Sequence, residues 1–208
     1  MKIGIDVDLT TLKSDEAWWT WLWHMSNRDP LATHEDIMRA YDNLLEDEGL
    51  LSYDLSEYFG PMTNSNVHPM DFWRNEGVYD TVQVRSDAYV NIRKLIADHP
   101  QDEIIFVTHN KGNGSRSKYN LLARLFGKDN FSYVITREKY NVLMDILIDD
   151  RHDFLNRLPE KSPNINGVCI HTPFKQTETL NEHIAKKLDW YDVYRYLDDF
   201  RANLDHPF

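Results

Sequence analysis

The chain contains a single cysteine, Cys169, so an intrachain disulfide is excluded. Its setting, Gly167-Val168-Cys169-Ile170, reads as a buried strand, where a free thiol behaves as a small hydrophobe. A reducing cytoplasm is the compartment that suits such a chain. No apolar run approaches the ~20 residues a membrane span needs, and no signal-peptide pattern opens the sequence, so neither membrane insertion nor export is expected. There is no internal repeat, no low-complexity tract, and no Cys/His cluster with metal-ligand spacing. The strong candidate metal ligands are therefore carboxylates, which suit a hard cation. Basic residues are scarce in the stretch 13–77, which holds Lys13, Arg28, Arg39 and Arg74 against thirteen acids, a net of −9 out of −11 for the whole chain. Polyphosphate backbones are normally met by Lys/Arg clusters, so a long nucleic acid is not an expected ligand. Most of these acids read as a solvated face. The length, 208 residues, fits one domain or one domain carrying an insertion.

What is present is a set of apolar runs that end in polar residues. Residues 2–5 form a short strand-like run followed by Asp6-Val7-Asp8-Leu9-Thr10. Two carboxylates this close, just past a strand end, repel each other unless a cation or a shared proton sits between them. Glu103-Ile104-Ile105-Phe106-Val107-Thr108 is a second run, read as a buried parallel strand because it is continuously apolar. It leads into His109-Asn110-Lys111-Gly112-Asn113-Gly114 and a helical pattern over 115–126, a loop-to-helix turn able to offer N–H groups to an anion. Tyr133-Val134-Ile135-Thr136 precedes Lys139, and 145–148 runs into Asp149-Asp150-Arg151. Four strands thus deliver acids, a hydroxyl and an amine to one sheet edge, the place where open α/β sheets bind ligands. That set matches a phosphate-plus-Mg²⁺ site, because Mg²⁺ takes carboxylate oxygens and commonly shares a phosphate oxygen.

Between the first strand and residue 77 the strand pattern stops. Residues 17–25 and 35–45 carry apolar side chains at helical spacing, with Thr33 as a predicted N-cap and Asp36 three residues on. The stretch 60–69 is rich in Pro, Asn and Ser and reads as a loop. Residues 13–77 are accordingly read as a small helical cap, and 1–12 with 78–208 as the catalytic core. The cap is rich in aromatics. Trp18, Trp19, Trp21 and Trp23 are expected to fill its core.

Asp6-Val7-Asp8-Leu9-Thr10, Thr108, Lys139 and Asp149-Asp150 resemble the four motifs of the haloacid dehalogenase (HAD) superfamily. The nearer likeness is to the 5'(3')-deoxyribonucleotidases, through Ile135-Thr136-Arg137-Glu138-Lys139, the run from Asp145 to Arg151, and Ser117-Lys118-Tyr119 continuing to Leu125-Phe126-Gly127. It covers roughly 1–12 and 78–200 and is thinner between them. The resemblance implies an α/β, Rossmann-like parallel sheet with a cap inserted after the first strand. It also implies an Mg²⁺-dependent phosphomonoesterase acting on (deoxy)ribonucleoside monophosphates. Asp6 would be the nucleophile and Asp8 the general acid and base. Mg²⁺ would rest on the Asp6 carboxylate, the Asp8 carbonyl and Asp150, with Asp149 orienting Lys139 or a metal-bound water. Thr108, His109, Lys139 and Lys118 would hold the phosphate, although a solvated helix lysine is an equal reading of Lys118. Trp73 and Tyr53 match substrate-contacting aromatics, and Asp54 replaces an aromatic, where it is either a base contact or a solvated surface acid. Polar residues around Ser14 and Asp15 replace another aromatic, so base and sugar preference do not carry over.

Two rival readings stay open. One is a HAD phosphatase of another small phosphate or of a nucleic-acid 3'-phosphate end, which the acidic cap opposes. The other is a nucleotide-binding protein without turnover, which the intact pair of acids opposes. A homodimer is compatible with the sequence.

Overall fold

The computed structural model describes residues 1–26, 28–109 and 113–205. Lys2–Ile5 (β1), Glu103–Thr108 (β2), Ser132–Ile135 (β3), Ile146–Asp149 (β4), Asn166–Ile170 (β5) and Ala185–Lys187 (β6) form one sheet, in the order β3-β2-β1-β4-β5-β6. Every pairing is parallel. The α/β class expected from the apolar runs is the class observed, and it adds a sixth, three-residue strand that the sequence does not announce.

Side-chain alternation splits the core between the two faces of the sheet. Ile3, Ile5, Phe106, Ile146, Ile148 and Val168 point into one cluster with Ser86–Asp98 (α3), Ser115–Phe126 (α4) and Trp190–Asp205 (α7). Ile105, Val107, Leu147 and Cys169 point into the other, against Leu155 and Leu158 of the short helices His152–Leu155 (α5) and Leu158–Lys161 (α6). Burial on both faces is why the central strands read as unbroken apolar runs. Gly4 lies where the second face closes most tightly. A Cβ there would fall 2.1 Å from Met144 Sδ, so no larger residue fits without moving Met144.

The helical segment between β1 and α3 consists of Ser14–Met25 (α1), His34–Glu48 (α2) and the 3-10 turns Leu55–Tyr58, Pro69–Arg74 and Val78–Asp80. Thr33 and Asp36 close a reciprocal capping box on α2, as expected: the Asp36 N–H donates to Thr33 Oγ1 at 3.2 Å, and the Thr33 N–H donates to the Asp36 carboxylate at 3.1 Å. Helix α1 begins earlier than its apolar pattern suggests, because Ser14 and Asp15 are polar yet buried. Trp19 joins α1 to Tyr41 of α2 with ring centroids 5.4 Å apart. A bridge between Leu51 and Phe174 then stitches this segment to the loop after β5. Among the described residues, no helix is long and apolar enough to cross a membrane.

Candidate active site

From β1 the chain builds β2 and β3 on one side and β4 to β6 on the other, so the switch in strand order falls beside β1. The crevice outside the carboxyl ends at such a point is where open α/β sheets bind ligands. Asp6 follows β1, Thr108 ends β2 and Asp149 ends β4, with Asp150 next to it. Just beyond Asp8 the backbone turns through Leu9, a non-glycine residue at φ +64°. Such a conformation persists only when its surroundings hold it. Here the Leu9 N–H donates to Ser14 Oγ (3.1 Å), Arg85 Nη1 donates to the Leu9 carbonyl (3.2 Å), and the Thr10 N–H donates to the Asp8 carbonyl (2.7 Å).

Two buried lysines hold three of the four acids. Lys139, in the 3-10 turn Lys139–Asn141 between β3 and β4, donates to Asp6 Oδ1 at 2.5 Å and to Asp149 Oδ2 at 2.6 Å. The other Asp149 oxygen accepts from the Arg151 N–H at 3.0 Å, so both oxygens of Asp149 are engaged in holding the site together. Lys118 is fully buried on α4. Its ammonium donates to Asp8 Oδ2 at 2.6 Å and to Thr108 Oγ1 at 2.7 Å. The solvated-lysine reading of Lys118 is therefore overturned: its amphipathic helix turns this residue inward, toward an acid from the other end of the sequence. The Tyr79 hydroxyl completes the support of Asp8, donating to Oδ1 at 2.9 Å.

Electrostatics mark a deficit of positive charge. Burial first, then the neighbouring charges of Asp149 and Asp6, raise the Asp150 carboxyl to about 8 against the opposing pull of the Tyr53 hydroxyl and Lys139. Asp6 is raised to about 6, mainly by burial, with Lys139 pulling it down and Asp149 and Asp8 pushing it up. Burial works against the Lys139 ammonium, yet Asp149 and Asp6 together hold its pKa above the ordinary lysine value. Carboxylate oxygens of Asp6, Asp149 and Asp150 lie within 4.8 Å of one another. An all-oxygen donor set, buried and short of positive charge, fits a hard divalent cation. Asp149 gives one oxygen to Lys139 and the other to the backbone. Asp150 meets only neutral hydroxyls, Thr10 Oγ1 at 3.2 Å and Tyr53 at 2.7 Å, and Asp6 gives Lys139 a single oxygen, so Asp6 and Asp150 are the carboxylates better placed to ligate.

Above this floor is a cavity of about 330 Å³, within the range of small-molecule sites. The structure brings the sequence-predicted Asp8, Tyr53, Asp54, Trp73 and His109 together around it. Tyr53 does more than line the wall. It donates to Asp150 Oδ2 at 2.7 Å, accepts from Gln176 Nε2 at 2.9 Å, and stacks on Phe174 with centroids 5.0 Å apart. Asp54 is exposed and caps its 3-10 turn, accepting from the Ser56 N–H (3.1 Å) and hydroxyl (2.6 Å) through Oδ1. His109 accepts through Nε2 from Arg137 Nε at 2.9 Å. Trp73 packs edge-on against Trp18, 5.4 Å away, and Phe72, 4.9 Å away. Asn110, Lys111 and Gly112 of the predicted anion-binding turn lie outside the described residues.

The sequence reading did not assign Asp15, Tyr79, Phe174 and Gln176 to the site. Trp18, expected as core filling, is buried but also lines the cavity. Tyr79 had a legible signal as an aromatic just ahead of α3. Phe174 and Gln176 had only their place after a strand end, at the binding edge of the sheet.

No protein-family model matches the sequence, and no curated protein matches it. Solved structures do match its fold. A haloacid dehalogenase-like hydrolase assigned in Burkholderia xenovorans LB400 aligns over 96% of this chain and 97% of its own, with 12% identity and a TM-score of 0.58. The HAD-hydrolase YfnB of Bacillus subtilis, in a magnesium-bound crystal form, aligns over 95% of this chain and 98% of its own, with 15% identity and a TM-score of 0.59. The fold is that of haloacid dehalogenase-like hydrolases.

Proposed function

We propose that the protein is an Mg²⁺-dependent phosphomonoesterase of the HAD type, acting on nucleoside monophosphates. The observation that carries this reading is the placement of Asp6, Asp8, Thr108 and Lys139 beside Asp150, under a cavity bounded by aromatics. Asp6, the Asp8 carbonyl and Asp150 would hold the cation, which supplies charge neutralisation between an anionic nucleophile and an anionic phosphate. Asp6 attacks phosphorus, the bond from phosphorus to the nucleoside oxygen breaks, and that oxygen takes a proton from Asp8. Water then attacks the aspartyl-phosphate, gives its proton to Asp8, and phosphate leaves with Asp6 restored. Splitting one displacement into two easier ones is the gain from the covalent step. Lys139 and the Thr108 hydroxyl position the phosphoryl oxygens. An incoming phosphate competes with Asp8 for the Lys118 ammonium, so substrate binding frees Asp8 to exchange its proton. The helical segment covers the crevice and excludes water.

The deciding experiment is phosphate release across nucleoside monophosphates and small sugar and aryl phosphates, with Mg²⁺ or with EDTA. Activity should vanish in EDTA and return with Mg²⁺; full activity in chelator sinks the reading. A second readout needs no substrate. A carboxyl whose pKa is higher folded than unfolded binds more protons when folded, so stability falls as pH rises between the two values. For Asp6 and Asp150 that window runs from 3.8 to about 6 and about 8 respectively. The melting temperature in EDTA should therefore fall from pH 5 to pH 8, and saturating Mg²⁺ should flatten that slope. Identical slopes with and without Mg²⁺ would count against a cation on these carboxylates.

Trp73 supplies the test of the nucleotide itself. Stacking on a base is worth about 1–3 kcal/mol, so Trp73→Ala should lower nucleotide turnover by roughly 5- to 150-fold while an aryl phosphate loses much less. Remote binding energy aligns the phosphate, so the loss should reach kcat as well as KM. Equal losses on both substrates with a lower Tm would return Trp73 to core filling.

A further inference from the structure

Three acids face the cavity, and their commitments differ. Asp8 is held at both oxygens by Tyr79 and Lys118. Asp54 is exposed and spends Oδ1 on its own turn. Asp15 is 8% exposed, and it sits on the first turn of α1, whose dipole favours negative charge. Its Oδ2 accepts from the Tyr41 hydroxyl at 2.8 Å, while Oδ1 has no protein donor among the described residues. An acid fixed through one oxygen and free at the other, in the wall of a cavity, is placed to accept from a donor on a ligand. The cavity that Asp15 lines is otherwise largely apolar there, with Trp18, Trp73, Leu55, Met70 and Phe174 around it.

We propose that Asp15 selects the substrate at this site by accepting a hydrogen bond from an exocyclic amine on the base of a nucleoside monophosphate. This rests on the nucleotide reading above and goes beyond it by naming the substrate class: amino-substituted bases over their oxo counterparts. A carboxylate is acceptor-only. An amine placed against Oδ1 donates to it, whereas a carbonyl at the same ring position sets lone pair against lone pair. Buried, well-fixed polar groups discriminate strongly because the wrong partner leaves them unpaired. Tyr41 fixes the geometry. Burial and the Asp15 charge hold its phenol well above the ordinary pKa, so it remains a donor and commits Oδ2 away from the substrate.

The same hydrogen bond makes Asp15→Asn an informative variant. The Tyr41 hydroxyl can keep donating to the asparagine oxygen, which leaves the amide N–H₂ toward the cavity as a donor. The probes are dCMP against dUMP and dAMP against dIMP, pairs that differ by amine or carbonyl at one ring position. Base-free 2-deoxyribose 5-phosphate serves as the internal reference, so loss of folded enzyme cancels. Wild-type protein should favour the amino member of each pair by at least about tenfold in kcat/KM. Asp15→Asn should bring the ratio to unity or invert it, with the loss on dCMP exceeding that on the base-free phosphate by at least about tenfold. An unchanged ratio overturns the role of Asp15 while the nucleotidase reading stands. A fall on dCMP no larger than that on the base-free phosphate shows that no contact to the base was lost and overturns the amine. Hydrolysis of small phosphates with no nucleotide turned over removes the nucleotide reading and this inference together.

Discussion

Asp6→Asn should leave a folded protein whose phosphate release has fallen by at least about a thousandfold, roughly 4 kcal/mol of transition-state stabilisation. The amide keeps the shape of the side chain and can still accept from Lys139, which donates to Asp6 at 2.5 Å. What it loses is the carboxylate that the proposed reaction uses as nucleophile. Asp6 lies under the aromatic cavity at the end of β1, with Asp8 on one side and Asp149 and Asp150 on the other. Its carboxyl is raised to about 6 by burial. Exchanging it for a neutral group should therefore not lower the Tm of the chelated protein at pH 8. Loss of activity without loss of stability separates a chemical role from a structural one. Acid-quenched wild-type enzyme should carry a phosphoryl group that Asp6→Asn lacks. Retention of more than about a tenth of wild-type turnover, a loss under ~1.4 kcal/mol, would rule out covalent catalysis through this residue.

The parts of the site that were legible in the sequence are those carried by strand ends. β1, β2 and β4 are buried on both faces, so their side chains give continuous apolar runs, and the polar residue closing each run marks the binding edge. Asp6, Thr108 and Asp149 were found that way. β6 escaped because its sequence, Ala185-Lys186-Lys187, has no apolar run and joins the sheet only through its pairing with β5. The burial of Lys118 is a tertiary fact. Its spacing to Leu121 and Leu122 sets it on the inward face of α4, but its partner Asp8 is 110 positions away. Phe174 and Gln176 reach Tyr53 and Asp150 because Leu51 pairs with Phe174, a bridge between two loops that no local pattern encodes. Asp15 reads as one more acid in an acidic stretch until the fold buries it. Composition found the acids, and only the fold could separate the few turned inward from the many left in solvent.

Lys139→Met should be the most damaging single change, in stability as well as turnover. Its ammonium is the only lysine or arginine group among the described residues that pairs with Asp6 or Asp149. Both carboxylates are buried, Asp149 completely. Removing one partner of a buried ion pair strands the other charge, at a cost of about 3–5 kcal/mol. For a chain of this size that corresponds to a fall in Tm of roughly 6–20 °C. The sign of a second substitution tests the cause. Asp149→Asn alone removes an acceptor from Lys139. Added to Lys139→Met, it removes a stranded charge, and its oxygen still accepts the Arg151 N–H that Asp149 Oδ1 takes at 3.0 Å. The double variant should therefore melt higher than Lys139→Met, a coupling that a double-mutant cycle measures directly. Turnover should not return with the stability, because the amine proposed to hold the phosphoryl oxygens is still missing. If the double variant melts as low as the sum of the single losses, Lys139 acts through packing of its alkyl chain rather than by pairing the acids.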